Sequence, residues 1–564
     1  MNERVGTVIV GAGFAGIAAA LALKAAGDDD FVILERAEAV GGTWRDNTYP
    51  GVACDVPAHL YGLSSHPWPG WSRTFAPGAE IRAYLEHVVA QEGLERHLRL
   101  STAMASASAA RSSGLDAHAH DVEWEVRAVS TRFARSTNEG SGRPTNEGSG
   151  GSTNGGSGGS TNGGSGGPAH EGSGRSTNEG SGGSTNEGSG GPTHEGSGGP
   201  THEGGFLARN LILAAGRLTE PLIPAIPGLD EFPGPVFHSA RWDASIRVQN
   251  ARIAVVGTGA SAIQLAPELA RQGAHVTLFQ RTPAWIVPRR DRAYARAERE
   301  AWQRDPGSLA RLREELYVEG EARFASRSGD PVAASEARES ALTHLARQVR
   351  DPVLRDALTP DYAFGCKRVL LSDDFYPAIA SGLVDLVPSA LAGASDNQLV
   401  AADGSRHEVD VVVLATGFEA ARQPYARLVT GEHGRTLDEH WSEGMTSVGS
   451  TLVSGFPNLY VLNGPNASLG HNSAVLIMEE QAAFAASLIS RGTPIRVDPE
   501  AEAAYTAEIA DRAAGTPWVE GGCRNWYTDP RSGRLTLLWP GTVSDFRSRL
   551  AAVRGSMLAP VLTP

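Results

Sequence analysis

The sequence predicts an α/β fold containing two Rossmann-like units, one opening the chain and one near its middle. Two observations predict it. A β-branched run feeds directly into a glycine-spaced turn at two places, and each turn leads into a helical stretch followed by a second apolar strand. With 564 residues, 41% of them hydrophobic and 20% charged, the chain is long enough for two or three domains with real cores.

The first unit starts with the strand Thr7–Val10. It runs into Gly11-Ala12-Gly13-Phe14-Ala15-Gly16 and an Ala/Leu-rich helix ending near Ala26. Gly11 permits the tight turn, Gly13 lets backbone approach a pyrophosphate, and Gly16 lets helix and strand pack closely. The free N–H groups of the helix N-terminus suit phosphate. A second strand, Phe31–Leu34, ends in Glu35, nineteen positions after Gly16. A carboxylate there accepts hydrogen bonds from an unphosphorylated ribose, which suits FAD.

The second unit reads Ile253–Val256, then Gly257-Thr258-Gly259-Ala260-Ser261-Ala262, a helix, and Val276–Phe279. Ala262 replaces the third glycine, as the pattern allows. Pro267 inside the helix is expected to kink it. No acid ends the second strand; Gln280-Arg281-Thr282 stands there instead. Arg281 can grip a 2′-phosphate by charge-assisted hydrogen bonds and Thr282 adds a donor, so this unit prefers NADPH. Asn210–Gly216 and Asp410–Gly417 read as strands ending in small-residue turns beside a cofactor or a neighbouring domain.

Residues 136–205 form a tandem octapeptide rich in Gly, Ser, Thr and Asn. Such a tract buries too little apolar surface to offset its ordering entropy and is expected to be disordered. His170, His194 and His202 within it are read as solvated repeat residues, with no metal site. Val122–Val126 before the tract and Phe206–Ala214 after it are expected to be hairpin neighbours.

A net charge of −14 with no long basic block argues against nucleic acid as a partner. The apolar run after Gly16 is broken at Lys24, too early to span a bilayer, so no membrane span is expected and the location is read as cytoplasmic. Cys54, Cys366 and Cys523 lie far apart, which suggests neither dithiol chemistry nor a disulfide framework.

Three segments resemble the Baeyer–Villiger monooxygenases of the class B flavoproteins. Phe232, Gly234, His238, Trp242 and Asp243 fit the linker fingerprint FxGxxxHxxxW[PD], and Gly41 to Asp55 fits GGxWxxxxYPGxxxD. Gly365-Cys366-Lys367-Arg368 looks like the segment that supplies the family's active-site arginine. The resemblance covers the chain apart from the repeat. It implies an enzyme that uses FAD, NADPH and O2 to convert a ketone to an ester or lactone through a C4a-peroxyflavin. Arg368 is then the fixed cation at the reacting oxygen, with Asp55 paired to it. Lys367 joins Arg281 and Thr282 at the 2′-phosphate, while Thr43, Trp44 and Asp46 line the flavin and Tyr61 is a further contact. His238 serves as a hinge anchor in the linker. Trp242-Asp243 favours ketones over the soft nitrogen and sulfur that related enzymes oxygenate, which is the alternative reading. A disulfide reductase shares the two-nucleotide layout but needs a close cysteine pair.

On this reading the FAD domain comprises 1–135, 206–228 and 395–564, with the repeat inserted at 136–205. The linker and NADPH domain comprise 229–287 and 361–394, with a helical insertion at 288–360 that has turns at Asp305-Pro306-Gly307 and Ser328-Gly329. Gly464-Pro465-Asn466 and Gly470-His471-Asn472-Ser473 precede a helix expected to face the flavin. Trp518, Trp526, Tyr527 and Trp539 are read as core more readily than as pocket lining. The expected state is a monomer or small homo-oligomer.

Overall fold

A computed structural model of the protein describes residues 2–111, 122–131 and 203–558. The β-branched run at the start forms the strand Glu3–Val10, which pairs in parallel with Phe31–Leu34 and with Glu203–Leu213. Every residue of Phe31–Leu34 is buried, as a strand covered on both faces requires. The helix Phe14–Ala25 packs against Ala474–Ile489, and Ala18, Ala19, Ala482 and Ala485 belong to the core they share. Side chains this small let the helices Phe14–Ala25 and Ala474–Ile489 approach closely.

The same sheet extends through Val122–Ser130, Thr102–Arg111 and Val429–Thr430 on one flank and Leu98–Arg99 on the other, and Leu459–Val461 pairs with Glu203–Leu213. Val122–Ser130 and Glu203–Leu213 are antiparallel neighbours, with Trp124 opposite Ala208. That is the expected hairpin partnership. Glu203, Gly204 and Gly205, grouped with the repeat by sequence, are strand because Val129, Ala128 and Arg127 reach far enough to pair with them. The rest of the repeat, with His170, His194 and His202, lies outside the described residues.

A second sheet is wholly parallel, in the order Val384–Val387, His275–Phe279, Arg252–Val256, Val411–Leu414, Val236–His238. The helix Ala260–Arg271 follows its glycine turn and stays one element across the buried Pro267. A small antiparallel sheet, Leu391–Ser395, Gln398–Ala401 and Arg406–Glu408, adds Leu399 and Ala401 to the core around Phe232 and Phe279.

The charged stretch between the two parts of this sheet folds into the helices Arg296–Arg304, Pro306–Ala322, Phe324–Ser328, Pro331–Gln348 and Pro352–Ala357. Asp305, Asp330 and Asp351 each cap the helix that begins at the following proline, accepting from the backbone N–H of Gly307, Ala333 and Val353. Proline sits where the missing N–H costs nothing and aspartate satisfies one that would be orphaned.

One expectation is corrected. Cys366 and Cys523 are joined in a disulfide, with Cα atoms 6.2 Å apart across 157 residues of sequence. Pairing depends on Cα separation and not on spacing along the chain. Here Ala363 N–H donates to the Gly521 carbonyl at 2.9 Å and draws the two loops together. Cys54 is buried and free. No helix among the described residues is long and apolar enough to cross a membrane.

Candidate active site

At the first turn Gly11 has φ +108°, and a Cβ there would lie 2.5 Å from the Ala214 carbonyl oxygen. A Cβ at Gly16 would lie 1.9 Å from the Gly11 carbonyl, so any side chain would force helix and strand apart. Gly13 caps the helix with no side chain occupying its N–H groups and meets only the Cα of Gly42, at 3.7 Å. This uncapped helix end beside an open cradle fits a pyrophosphate. Glu35 is buried at the end of Phe31–Leu34. It accepts from Ala12 N–H and Ala37 N–H, both at 2.9 Å, and from Arg45 Nη1 at 2.8 Å. A carboxylate has about four acceptor positions, so one remains for a ribose hydroxyl. Arg45, which sequence reasoning passed over, also pairs with Asp46 at 2.8 Å and so fixes both acids. Thr43–Asp46 is a single helical turn. Trp44 meets Tyr61 edge-on at 5.6 Å, and Tyr61 meets Phe14 at 5.1 Å, so Trp44, Tyr61 and the first helix form one aromatic wall.

The second turn repeats these features. Gly257 lies against the Ala415 carbonyl, Gly259 faces open space, and the helix beginning at Ala260 again has no side-chain cap. Ala262 is fully buried in that helix. Thr258 Oγ1 donates to the Thr282 carbonyl at 2.8 Å and so ties this turn to Arg281-Thr282. Lys367 is close enough to Arg281 for the two cations to repel. Burial and then Arg281 hold the lysine below its usual pKa, while its ammonium lies 4.7 Å from the Tyr362 ring centroid. Two repelling cations beside an open glycine turn fit a 2′-phosphate.

Between the two units, Arg368 Nε and Nη2 donate to Asp55 Oδ2 at 2.8 and 2.6 Å. Asp55 raises the guanidinium pKa above its ordinary value and outweighs the opposing effect of burial, so the charge is permanent. Both side chains keep part of their surface open, 29% and 25%. The loop carrying Asp55 is pinned to the second unit. Gln264 Oε1 accepts from the Tyr49 hydroxyl at 3.1 Å, Gln264 Nε2 donates to the Ala53 carbonyl at 3.1 Å, and Arg289 Nη2 donates to the Cys54 carbonyl at 3.0 Å. Gln264 and Arg289 had no sequence signal because their partners lie more than 200 positions away. Tyr527 is buried and near enough to Arg368 and Asp55 to feel both charges.

The linker residues are held by contacts of their own. Phe232 is core, and Gly234 lies against the Asp410 carbonyl. His238 ends the strand Val236–His238, where its Nδ1 accepts from Ala240 N–H at 3.1 Å and burial pushes its pKa down to about 4. It is therefore neutral. Trp242 packs edge-on against Phe237 at 5.4 Å, and Asp243 accepts from Ser245 N–H at 2.8 Å in a turn. Trp518, Tyr527 and Trp539 are core, and Trp526 is half-buried. Ser473 caps the helix Ala474–Ile489 by accepting from Val475 N–H. Two surface hollows of about 370 and 240 Å³, lined around Glu336 and Trp68 respectively, include none of these residues.

Residues 9–76 match the family model of the NAD(P)-binding Rossmann-like domain, and residues 200–297 match that of the pyridine nucleotide-disulphide oxidoreductases. A Baeyer–Villiger monooxygenase of Streptomyces coelicolor is 37% identical over 557 residues, covering 97% of this chain and 91% of that protein. One from Pseudomonas aeruginosa is 33% identical, covering 96% and 88%. The solved structure of an oxidized steroid monooxygenase bound to NADP superposes with a TM-score of 0.73 at 26% identity, covering 98% of both chains.

Proposed function

The chain belongs to the Baeyer–Villiger monooxygenases, and from that premise we propose that it inserts one oxygen atom beside the carbonyl of a ketone at the Arg368–Asp55 pair. It is a monooxygenase that uses FAD and NADPH. When bound, the flavin carries two electrons from NADPH to dioxygen, which neither the protein's side chains nor the ketone can do.

The residues supply position and charge. Gly11, Gly13, Ala15 and Gly16 with Glu35 hold the FAD nucleotide, while Thr43, Trp44, Asp46 and Tyr61 flank the flavin. Gly257, Gly259 and Ala262 form the NADPH cradle, and Arg281, Thr282 and Lys367 grip the 2′-phosphate. Arg368 stabilises negative charge on the reacting oxygen and on the ketone oxygen as they develop, and Asp55 fixes its orientation. Guanidinium suits this role because it cannot release its proton to the nucleophile. His238, neutral and hydrogen-bonded to the Ala240 N–H within the linker, anchors the hinge. The domain divisions at 229, 288 and 361, a cytoplasmic location and a monomeric or small homo-oligomeric state belong to the same proposal, whereas the expected boundary at 395 shifts past Leu414, because Val411–Leu414 pairs with Arg252–Val256 and Val236–His238 in the second sheet.

The observation that carries this reading is the Arg368–Asp55 contact, which closes 313 residues of sequence into one charged centre between two nucleotide cradles. The test is a panel of ketones, amines and sulfides offered to the purified yellow enzyme with NADPH and followed by mass spectrometry. The expected product is an ester or lactone one oxygen heavier than its ketone. Oxygenation confined to amines or sulfides would contradict the assignment.

A further inference from the structure

Arg327 lies in the short helix Phe324–Ser328 of the helical region. Its backbone packs against the turn that delivers Arg368, for a Cβ on Gly365 would lie 3.3 Å from the Arg327 Cα. The guanidinium sits 4.7 Å from the Phe364 ring centroid. Its Nη1 donates to Ser326 Oγ at 2.9 Å, whereas its Nε is buried with no acceptor. Its neighbouring cations are both matched by acids, Arg323 by Glu319 and Arg368 by Asp55. No ion pair to Arg327 forms among the described residues.

A guanidinium taken partly out of water without a carboxylate is costly, and the cost is relieved when an anion binds. Burial and the neighbouring Arg323 already lower its pKa to about 10, so it stays charged at neutral pH. Its surroundings are aromatic. Phe364 lies beneath it, Phe324 is one helical turn away, and Tyr527 lies within electrostatic reach. An anion with an apolar body fits such a wall better than a hydrated inorganic ion.

The cofactor anions are provided for elsewhere. The two pyrophosphates have the uncapped helix ends at Gly13 and Gly259, and the 2′-phosphate has Arg281 and Lys367. Arg327 senses Arg368, at the reacting end.

Resting on the ketone-oxygenating reading, we infer that Arg327 is a specificity residue that binds a carboxylate on the substrate, so that the preferred ketones are oxo acids with an apolar chain between the two groups. The carboxylate is held by Arg327 and the ketone oxygen by Arg368. Chain length is then selected by the distance between the two guanidinium groups.

The test uses the holoenzyme with a series of medium-chain methyl-ketone oxo acids and their methyl esters, comparing wild type with Arg327→Met and Arg327→Lys. At the best length, wild type is expected to favour the acid over its ester by about tenfold or more in kcat/KM, the scale of one charge-assisted hydrogen bond. Arg327→Met abolishes the preference while ester turnover and the NADP+ dissociation constant stay within about twofold. Arg327→Lys keeps part of the preference, since the charge remains without the fork. Three results would each overturn the inference: wild type with no acid preference at any length, equal loss of acid and ester turnover in both variants, or an NADP+ affinity that falls as far as oxo-acid turnover does. In the last case the anion belongs to the cofactor. Failure of wild type to oxygenate any ester or acid would instead contradict the ketone reading itself.

Discussion

Arg368 carries its charge at all working pH values because a single carboxylate, Asp55, outweighs the effect of its burial. In Arg368→Ala, NADPH should still reduce the flavin, since the nucleotide cradles lie on other residues. Oxygen should then leave as hydrogen peroxide with ester formation down by at least about a hundredfold, the scale of one lost oxyanion-type donor. Rapid-mixing absorbance separates the two half-reactions, and ester yield close to wild type would remove Arg368 from its role. Arg281→Gln should raise KM for NADPH about tenfold and leave NADH nearly unchanged, because only NADPH has the phosphate that the arginine meets. Equal changes for both nucleotides would contradict the 2′-phosphate assignment. Arg281 was legible in the sequence by a local rule, an arginine at a strand end where an acid would otherwise stand, whereas Arg368 and Asp55 came only from the family resemblance. Arg45 holding Glu35, and Gln264 holding the Asp55 loop, were not legible, because neither partner is adjacent in the chain.

Elements join in ways that local pattern does not report. Helix Pro306–Ala322 places Glu321 against the loop before Ala474–Ile489 and against the last helix, Val543–Leu558. Its carboxylate accepts from Asn472 Nδ2 at 3.0 Å and from Val543 and Ser544 N–H, both at 3.2 Å, and it lies 3.4 Å from His471 Nε2. Burial alone would raise the Glu321 pKa, but these donors reverse that and hold it at about 2. A lowered carboxylate pKa stabilises the fold above its unfolded value of 4.5, and that stability is lost as pH falls from there through about 2. Glu321→Gln should therefore cost about 1–2 kcal/mol at neutral pH and nothing below the acid limb. Thermal unfolding measured across that range checks it, and a pH-independent loss would show that packing, not charge, is the cause. The glycine turns and the helical character of the charged stretch were readable because each is written within a few residues. The Cys366–Cys523 bridge and the small antiparallel sheet were not, since both depend on loops meeting far along the chain.

At the scale of the whole molecule, two nucleotide cradles on separate sheets meet at one charged pair, with a helical region carrying Arg327 beside it. The two-cradle layout followed from the repeated glycine pattern, whereas the meeting of Asp55 with Arg368 was implied only by the family resemblance, because no local pattern links residues 313 positions apart. Such an arrangement has a fixed stoichiometry. On the proposed reaction each turnover consumes one ketone, one O2, one NADPH and one proton, and releases one ester, one NADP+ and one water. The most direct measurement is turnover of the best ketone under ¹⁸O2, with NADPH consumption and the isotope content of ester and water recorded together. The expected result is a single ¹⁸O in each ester, the second in water, and one NADPH oxidised per ester. Unlabelled ester, or NADPH oxidised with both oxygen atoms recovered as peroxide and no ester formed, would contradict it.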